Sequence, residues 1–142
     1  MMTPWVITAM LVSKEEVKLL NKIKKAVRLL PDIDLGSERS GRKIPISCHM
    51  VVRIIGKHFR LKCIDGYFCK LYQHSWLLTP QGNIIDVYPV GMVGGPIIVN
   101  AGDFFSPGDR LYEKRSLAHV VRTNDFRRAL KKLSESFQKR IK

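Results

Sequence analysis

From Ser13 the chain runs in a helical rhythm. In SKEEVKLLNKIKKAVRLL, residues Val17, Leu20, Ile23, Val27 and Leu30 recur at helical spacing, which predicts an amphipathic helix over 13–30. Ser13 and Glu16 stand in capping-box positions at its start, and Pro31 ends it. The following PDIDLGSERSGRKIP mixes Pro, Gly, Ser and charges without a period, and reads as a surface loop. CHMVVRII resumes the helical spacing, with Cys48, Val51, Val52 and Ile55 on one stripe, Ser47 as N-cap and Gly56 as the stop. From Phe59 the texture becomes β: FRLKCI, a turn at Asp65 and Gly66, YFCKLYQHSWLL, the loop TPQGN, then IIDVYPV, which predict three adjacent antiparallel strands. GMVGGPIIVN suits a further strand after a glycine-rich bend, and GDFFSPGDR is turn-rich. Phe126, Leu130, Leu133, Phe137 and Ile141 then share a face opposite basic residues, a basic amphipathic helix over about 123–141. The expected fold is α+β: a single domain over 1–142 with its core at about 45–99, in which the helix from Cys48 packs on an antiparallel sheet.

Composition changes this picture only at its edges. The 142 residues and 45% hydrophobic content suffice for one core. The apolar opening MMTPWVITAMLV contains Pro4, lacks a basic start and is too short to span a bilayer, so it reads as a buried strand. Three cysteines make no even disulfide framework, which fits reduced thiols and a cytoplasmic location. The charge matters more: 25 Lys+Arg against 12 Asp+Glu leave +13, which favours acidic or polyanionic partners. Lys22, Lys24, Lys25, Arg28, Arg127, Arg128, Lys131 and Lys132 are the candidate polyanion contacts, set against the plainer role of a solvated helix face.

HSWLLTPQGNIIDVYP holds the candidate chemistry. If TPQGN connects two strands with Leu78 opposite Ile84, then Trp76 faces Asp86 and His74 faces Tyr88. His74, Trp76 and Asp86 then share one side of the sheet, with the carboxylate a diagonal neighbour of the imidazole. A slip of one residue would break this relation and a slip of two would keep it. A paired Asp and His is half of a nucleophilic apparatus. Cys48 supplies the other half, because the first turn of a helix favours a thiolate over a thiol. Against this stand the plainer readings: a small buried cysteine and a satisfied core histidine.

SCHMVVRIIGKHFRLKCIDGYF followed by HSWLLTPQGNIIDVYP resembles the transglutaminase-like branch of the papain-like cysteine enzymes, over about residues 45–90. The shared pattern is a Cys opening a helix, then His-small-Trp on a strand, a short hairpin, and Asp on the next strand. The resemblance implies a papain-like core with Cys48 as nucleophile, His74 as base, Asp86 as the group that orients it, and Trp76 as the signature aromatic. The interval from Cys48 to His74 is compact for that family, and no aromatic residue flanks the cysteine.

Gln73, beside His74, has the option of an oxyanion donor, with solvent contact as its plainer role. Cys63 and Cys69 read as strand or core residues, and zinc ligation by Cys63, Cys69 and His74 lacks the close spacing of structural sites. His49 is expected to point away along its helix; His58 and His119 are given no role. Two function classes follow. One is acyl transfer at Cys48 on a peptide or protein amide, with no metal and no cofactor, covering protease, amidase, deamidase and transglutaminase-like activities. The other is a basic nucleic-acid-binding module, or an inactive relative that only binds.

Overall fold

The computed structural model describes residues 12–87, 95–99 and 112–141. The expected strand at the N-terminus and the turn-rich 102–110 lie outside them. Helix α1, Lys14–Val27, starts at Ser13 with the full capping box: the Ser13 hydroxyl accepts from the Glu16 amide, and the Glu16 carboxylate accepts from the Ser13 amide. Its buried side chains are Glu16, Leu20, Ile23 and Ala26, whereas Val17 faces solvent. The stripe is thus rotated from the expected one, and an acid takes the place of an apolar residue.

Helix α2, Cys48–Phe59, starts at Ser47 as expected, although the Ser47 side chain makes no capping hydrogen bond. Gly56 does not stop it. The helix continues to Phe59 and is closed by Arg60 in the left-handed conformation. A Cβ on Gly56 would come within 2.8 Å of a Leu77 methyl and 3.2 Å of the Leu61 carbonyl. That glycine serves close approach of helix to sheet.

Five antiparallel strands follow, β1 (Lys62–Phe68), β2 (Tyr72–Leu78), β3 (Ile84–Asp86), β4 (Ile97–Val99) and β5 (Tyr112–Lys114), arranged β4-β3-β2-β1-β5. Leu78 pairs with Ile84, the register read from the sequence. The expected turn at Asp65 and Gly66 is a correction. Both residues lie inside β1, opposite Ser75 and His74, and the chain reverses at Cys69 and Lys70, which take φ of 54° and 63°. Gly66 is needed for space: a Cβ there would run into the Glu113 carbonyl of β5 and come within 2.8 Å of the Trp76 ring. Gly66→Ala is therefore expected to cost about 1–3 kcal/mol through overpacking, read as a lower urea midpoint; an unchanged midpoint would show that β5 yields freely.

The main core lies on one face of the sheet, where Leu77, Ile85 and Val87 meet Val52 and Ile55 of α2, Ile23 of α1, and Phe126, Leu133 and Phe137 of the last helix. A short helix α3, Ala118–Val121, leads into that last helix, α4, Asn124–Ile141. Thr123 caps α4 by accepting from the Phe126 amide at 3.1 Å. A smaller cluster of Ile64, Trp76 and Ile84 forms on the other face. The fold is thus α+β, with helices packed on an antiparallel sheet and α2 contacting β1 and β2. No helix among the described residues is long and apolar enough to cross a membrane.

Glu16 links these layers. It is 2% exposed and its carboxylate accepts from Thr79 Oγ1 at 2.6 Å and from Asn83 Nδ2 at 2.9 Å. Thr79 and Asn83 bound the β2–β3 connection, so α1 holds the hairpin whose strands carry His74 and Asp86. Burial pushes the Glu16 carboxyl up, but the hydrogen bonds outweigh it and hold it below its ordinary value.

Candidate active site

Alternation along β2 puts His74 and Trp76 on the sheet face away from the main core, and the register places Asp86 beside them. His74 Nε2 lies 2.8 Å from Asp86 Oδ2, with both side chains almost fully buried. The Tyr112 hydroxyl donates to the same oxygen at 2.9 Å. A carboxylate oxygen only accepts, so Nε2 carries the proton and Nδ1 is left as the basic atom. The rings of Phe68, Trp76 and Tyr112 stand around the imidazole, at 6.0, 6.2 and 6.4 Å between centroids, and keep water from it.

Nδ1 of His74 is buried and has no hydrogen-bond partner of ordinary geometry among the described residues. The imidazole is nevertheless close enough to Cys48 for each to shift the titration of the other. Burial works against the Cys48 thiolate, but hydrogen bonds from His49 and His74 outweigh it and bring the thiol down to about 6. For His74, burial disfavours the cation, while Asp86 and then Cys48 raise it to about 9. Between those values the pair rests as thiolate and imidazolium.

The other cysteines differ. Burial raises Cys63 to about 11, only partly offset by Arg53, so it stays a thiol. Cys69 is exposed at the β1–β2 turn. No group of three His, Cys, Asp or Glu side chains among the described residues is arranged to hold a metal ion, so Cys63, Cys69 and His74 do not form one.

His49 departs from expectation. It does not point away along the helix: it is buried, its imidazole acts on the Cys48 thiol, and its Nδ1 lies 2.6 Å from Ser75 Oγ. Ser75 donates to Asp65 Oδ1 at 2.6 Å, and Arg53 grips Asp65 with two bonds, at 3.0 and 2.7 Å. Burial alone would raise the Asp65 carboxyl, but Arg53 and Ser75 hold it below its ordinary value. Two histidines therefore flank Cys48, each backed by a carboxylate.

The remaining candidates are peripheral. The Gln73 amide lies at the surface, 3.2 Å from His119 Nε2. His58 packs edge-on against Phe59 and Phe137. Lys22, Lys25 and Arg28 lie exposed on or just after α1, with Lys24 half-buried, and Arg127, Arg128, Lys131 and Lys132 are exposed on α4. Arg128 is engaged by Asp125 and the Ser37 carbonyl. A cleft of about 430 Å3, lined by Ser47, His49, Met50, His119 and Phe126 among others, opens beside the start of α2.

Sequence reasoning missed Tyr112, Ser75 and Asp65. For Ser75 and Asp65 a signal existed, since Asp65 stands directly opposite Ser75 once β1 is extended through Gly66. Tyr112 reaches Asp86 across a span with no periodic signature. Comparison of the chain with protein-family models, with curated proteins and with solved structures returns no match.

Proposed function

We propose that this protein is a cysteine-nucleophile acyl-transfer enzyme of the transglutaminase-like, papain-like kind, acting on amides or esters. The observation that carries the reading is the His74 imidazole, fixed through Nε2 by Asp86, with its buried Nδ1 left for the Cys48 thiol at the start of α2. Cys48 attacks the acyl carbon, a C–S bond forms, and the carbonyl electron pair moves to oxygen. The tetrahedral adduct collapses with cleavage of the bond to the leaving amine or alkoxide, which takes its proton from His74 Nδ1. Water or an amine then releases the acyl group. The Ser47 hydroxyl does not cap α2 and the Met50 amide is bonded to the Ser47 carbonyl, so the Cys48 and His49 amides are the first-turn donors open to the oxyanion.

The test uses p-nitrophenyl acetate, whose leaving group reports acylation directly. The expected result is one p-nitrophenolate released per protein before steady turnover, and none with Cys48→Ala. A burst that survives in Cys48→Ala removes the nucleophile from this reading.

Two quantities sharpen it. Acylation rate rises with pH as Cys48 ionises near 6 and falls as His74 loses its proton near 9, giving a bell between those limits. A rate that climbs without a maximum to pH 10 would contradict the ion pair. Asp86→Asn should cost about 10²-fold, at the low end of positioned acid–base effects. Both His74 and Tyr112 point donors at one oxygen, so an asparagine keeps its carbonyl there and the tautomer survives. What is lost is the negative charge, so the alkaline limb moves below 9; a limb that stays in place would deny Asp86 that influence.

A further inference from the structure

His49 invites the plain reading of a satisfied core histidine, yet three observations separate it from one. Its tautomer is fixed by a directed relay. Asp65, paired to Arg53, accepts only; Ser75 spends its one proton on Asp65, so its oxygen must accept from His49 Nδ1–H. With Nδ1 spent on Ser75, Nε2 is the ring nitrogen that acts on the Cys48 sulfur, and it loses that partner when the sulfur is acylated. Its setting also differs from that of His74. His74 is 1% exposed and enclosed by aromatic rings, whereas His49, itself buried at 7%, lines the 430 Å3 cleft beside Cys48. An incoming small molecule meets His49 first.

We propose that His49 is a second proton-transfer residue of the site, taking through Nε2 the proton of the water or amine that releases the acyl group, with Ser75 and Asp65 as its positioning residues. This rests on the acyl-transfer reading. In the release step the oxygen of water bonds to the thioester carbon, and one of its protons passes to His49 Nε2. Collapse breaks the C–S bond, returns the electron pair to Cys48 as thiolate, and frees the carboxylic acid. His49 yields its proton to solvent, from which His74 recovers the one given to the leaving group. Each histidine thus serves one half of the cycle.

The decisive variant is His49→Asn, because an asparagine amide can replace Nδ1–H as donor to Ser75 while offering no base at the Nε2 position. With p-nitrophenyl acetate at mildly alkaline pH, the burst amplitude should stay near one p-nitrophenolate per protein, its rate lowered only as far as Cys48 loses the support His49 gives its thiolate, and steady turnover should fall about 10²-fold, the low end of a positioned base's worth. Acetylated Cys48 then accumulates in the mass spectrum, and added imidazole restores turnover without speeding the burst. Ser75→Ala, which frees the ring but leaves the base, should lower turnover less and need no imidazole. Unchanged turnover in His49→Asn, or a burst slowed as much as turnover, overturns the assignment; if that variant does not fold, unchanged turnover in Ser75→Ala does so. A wild-type protein that gives no burst overturns the acyl-transfer reading itself, and this division of labour with it.

Discussion

His74→Ala is expected to cost turnover about 10³-fold and to move alkylation of Cys48 out of the acid range. The second effect needs no substrate and can be worked out in numbers. At pH 6 a thiol brought down to about 6 is half ionised, whereas an ordinary thiol near 9.0 is ionised to roughly one part in 10³. Nucleophilicity falls with basicity by about 0.4–0.5 log per pKa unit, which returns a factor of about 20. The net advantage of Cys48 over an ordinary thiol at pH 6 is therefore about 20-fold with iodoacetamide. Cys63, raised to about 11 and half-buried, should remain unlabelled. The rate for Cys48 should rise with a midpoint near 6, and His74→Ala should carry that midpoint upward, though not fully to 9.0, because His49 still acts on the sulfur. An unmoved midpoint in His74→Ala would dissolve the pair on which the mechanism depends.

Glu16→Ala should destabilise the fold by about 3–5 kcal/mol, the cost of breaking a buried charge network and stranding its donors. The carboxylate joins the α1 cap to Thr79 and Asn83, and its removal leaves the Thr79 hydroxyl and one Asn83 amide group without it. Equilibrium urea unfolding measures the loss, and a change below about 1 kcal/mol, the worth of an ordinary single hydrogen bond, would show that the network is not held together by the charge. Glu16 also sets an acid limit. Its folded value is depressed, so its stabilisation is complete above its unfolded value of 4.5 and is lost as pH falls through the folded one. Asp65 behaves likewise from 3.8, so both contributions fade only in acid below those values, well below the range in which Cys48 titrates. Cys48 labelling should slow in Glu16→Ala even where the protein remains folded, because the hairpin holding His74 loses its anchor to α1.

Where one force dominated, the sequence was readable. The capping box of α1 and the pairing of Leu78 with Ile84 follow from local chemistry and from strand alternation, and the meeting of His74 with Asp86 follows from that register. The misreadings share a cause. Gly56 and Gly66 read as punctuation, because a glycine in isolation signals a turn or a helix end. Both are instead places where another element approaches too closely for a side chain, and the approaching atoms belong to Leu77, Trp76 and Glu113, distant in sequence. Placing the turn at Gly66 cut β1 short, which hid the pairing of Asp65 with Ser75 and, through it, the role open to His49. Glu16 was legible as a cap but not as a buried charge, since its partners in the β2–β3 connection lie 63 and 67 positions away.

The position of β5 bears on the order in which the molecule assembles. β1 and β2 are joined by a short reversal and β2 and β3 by a brief connection, so the His74–Asp86 hairpin can form from local contacts. β5 must close a loop of nearly fifty residues to reach Gly66, and closure entropy delays such pairings. The Tyr112 hydroxyl therefore reaches Asp86 late, after the rest of the charge pair has met. Interactions absent from the folding transition state govern escape from the native state rather than entry into it. Loss of that hydroxyl in Tyr112→Phe accordingly shortens the lifetime of the folded protein and leaves its folding rate nearly untouched, which makes the last strand a kinetic latch on the candidate site.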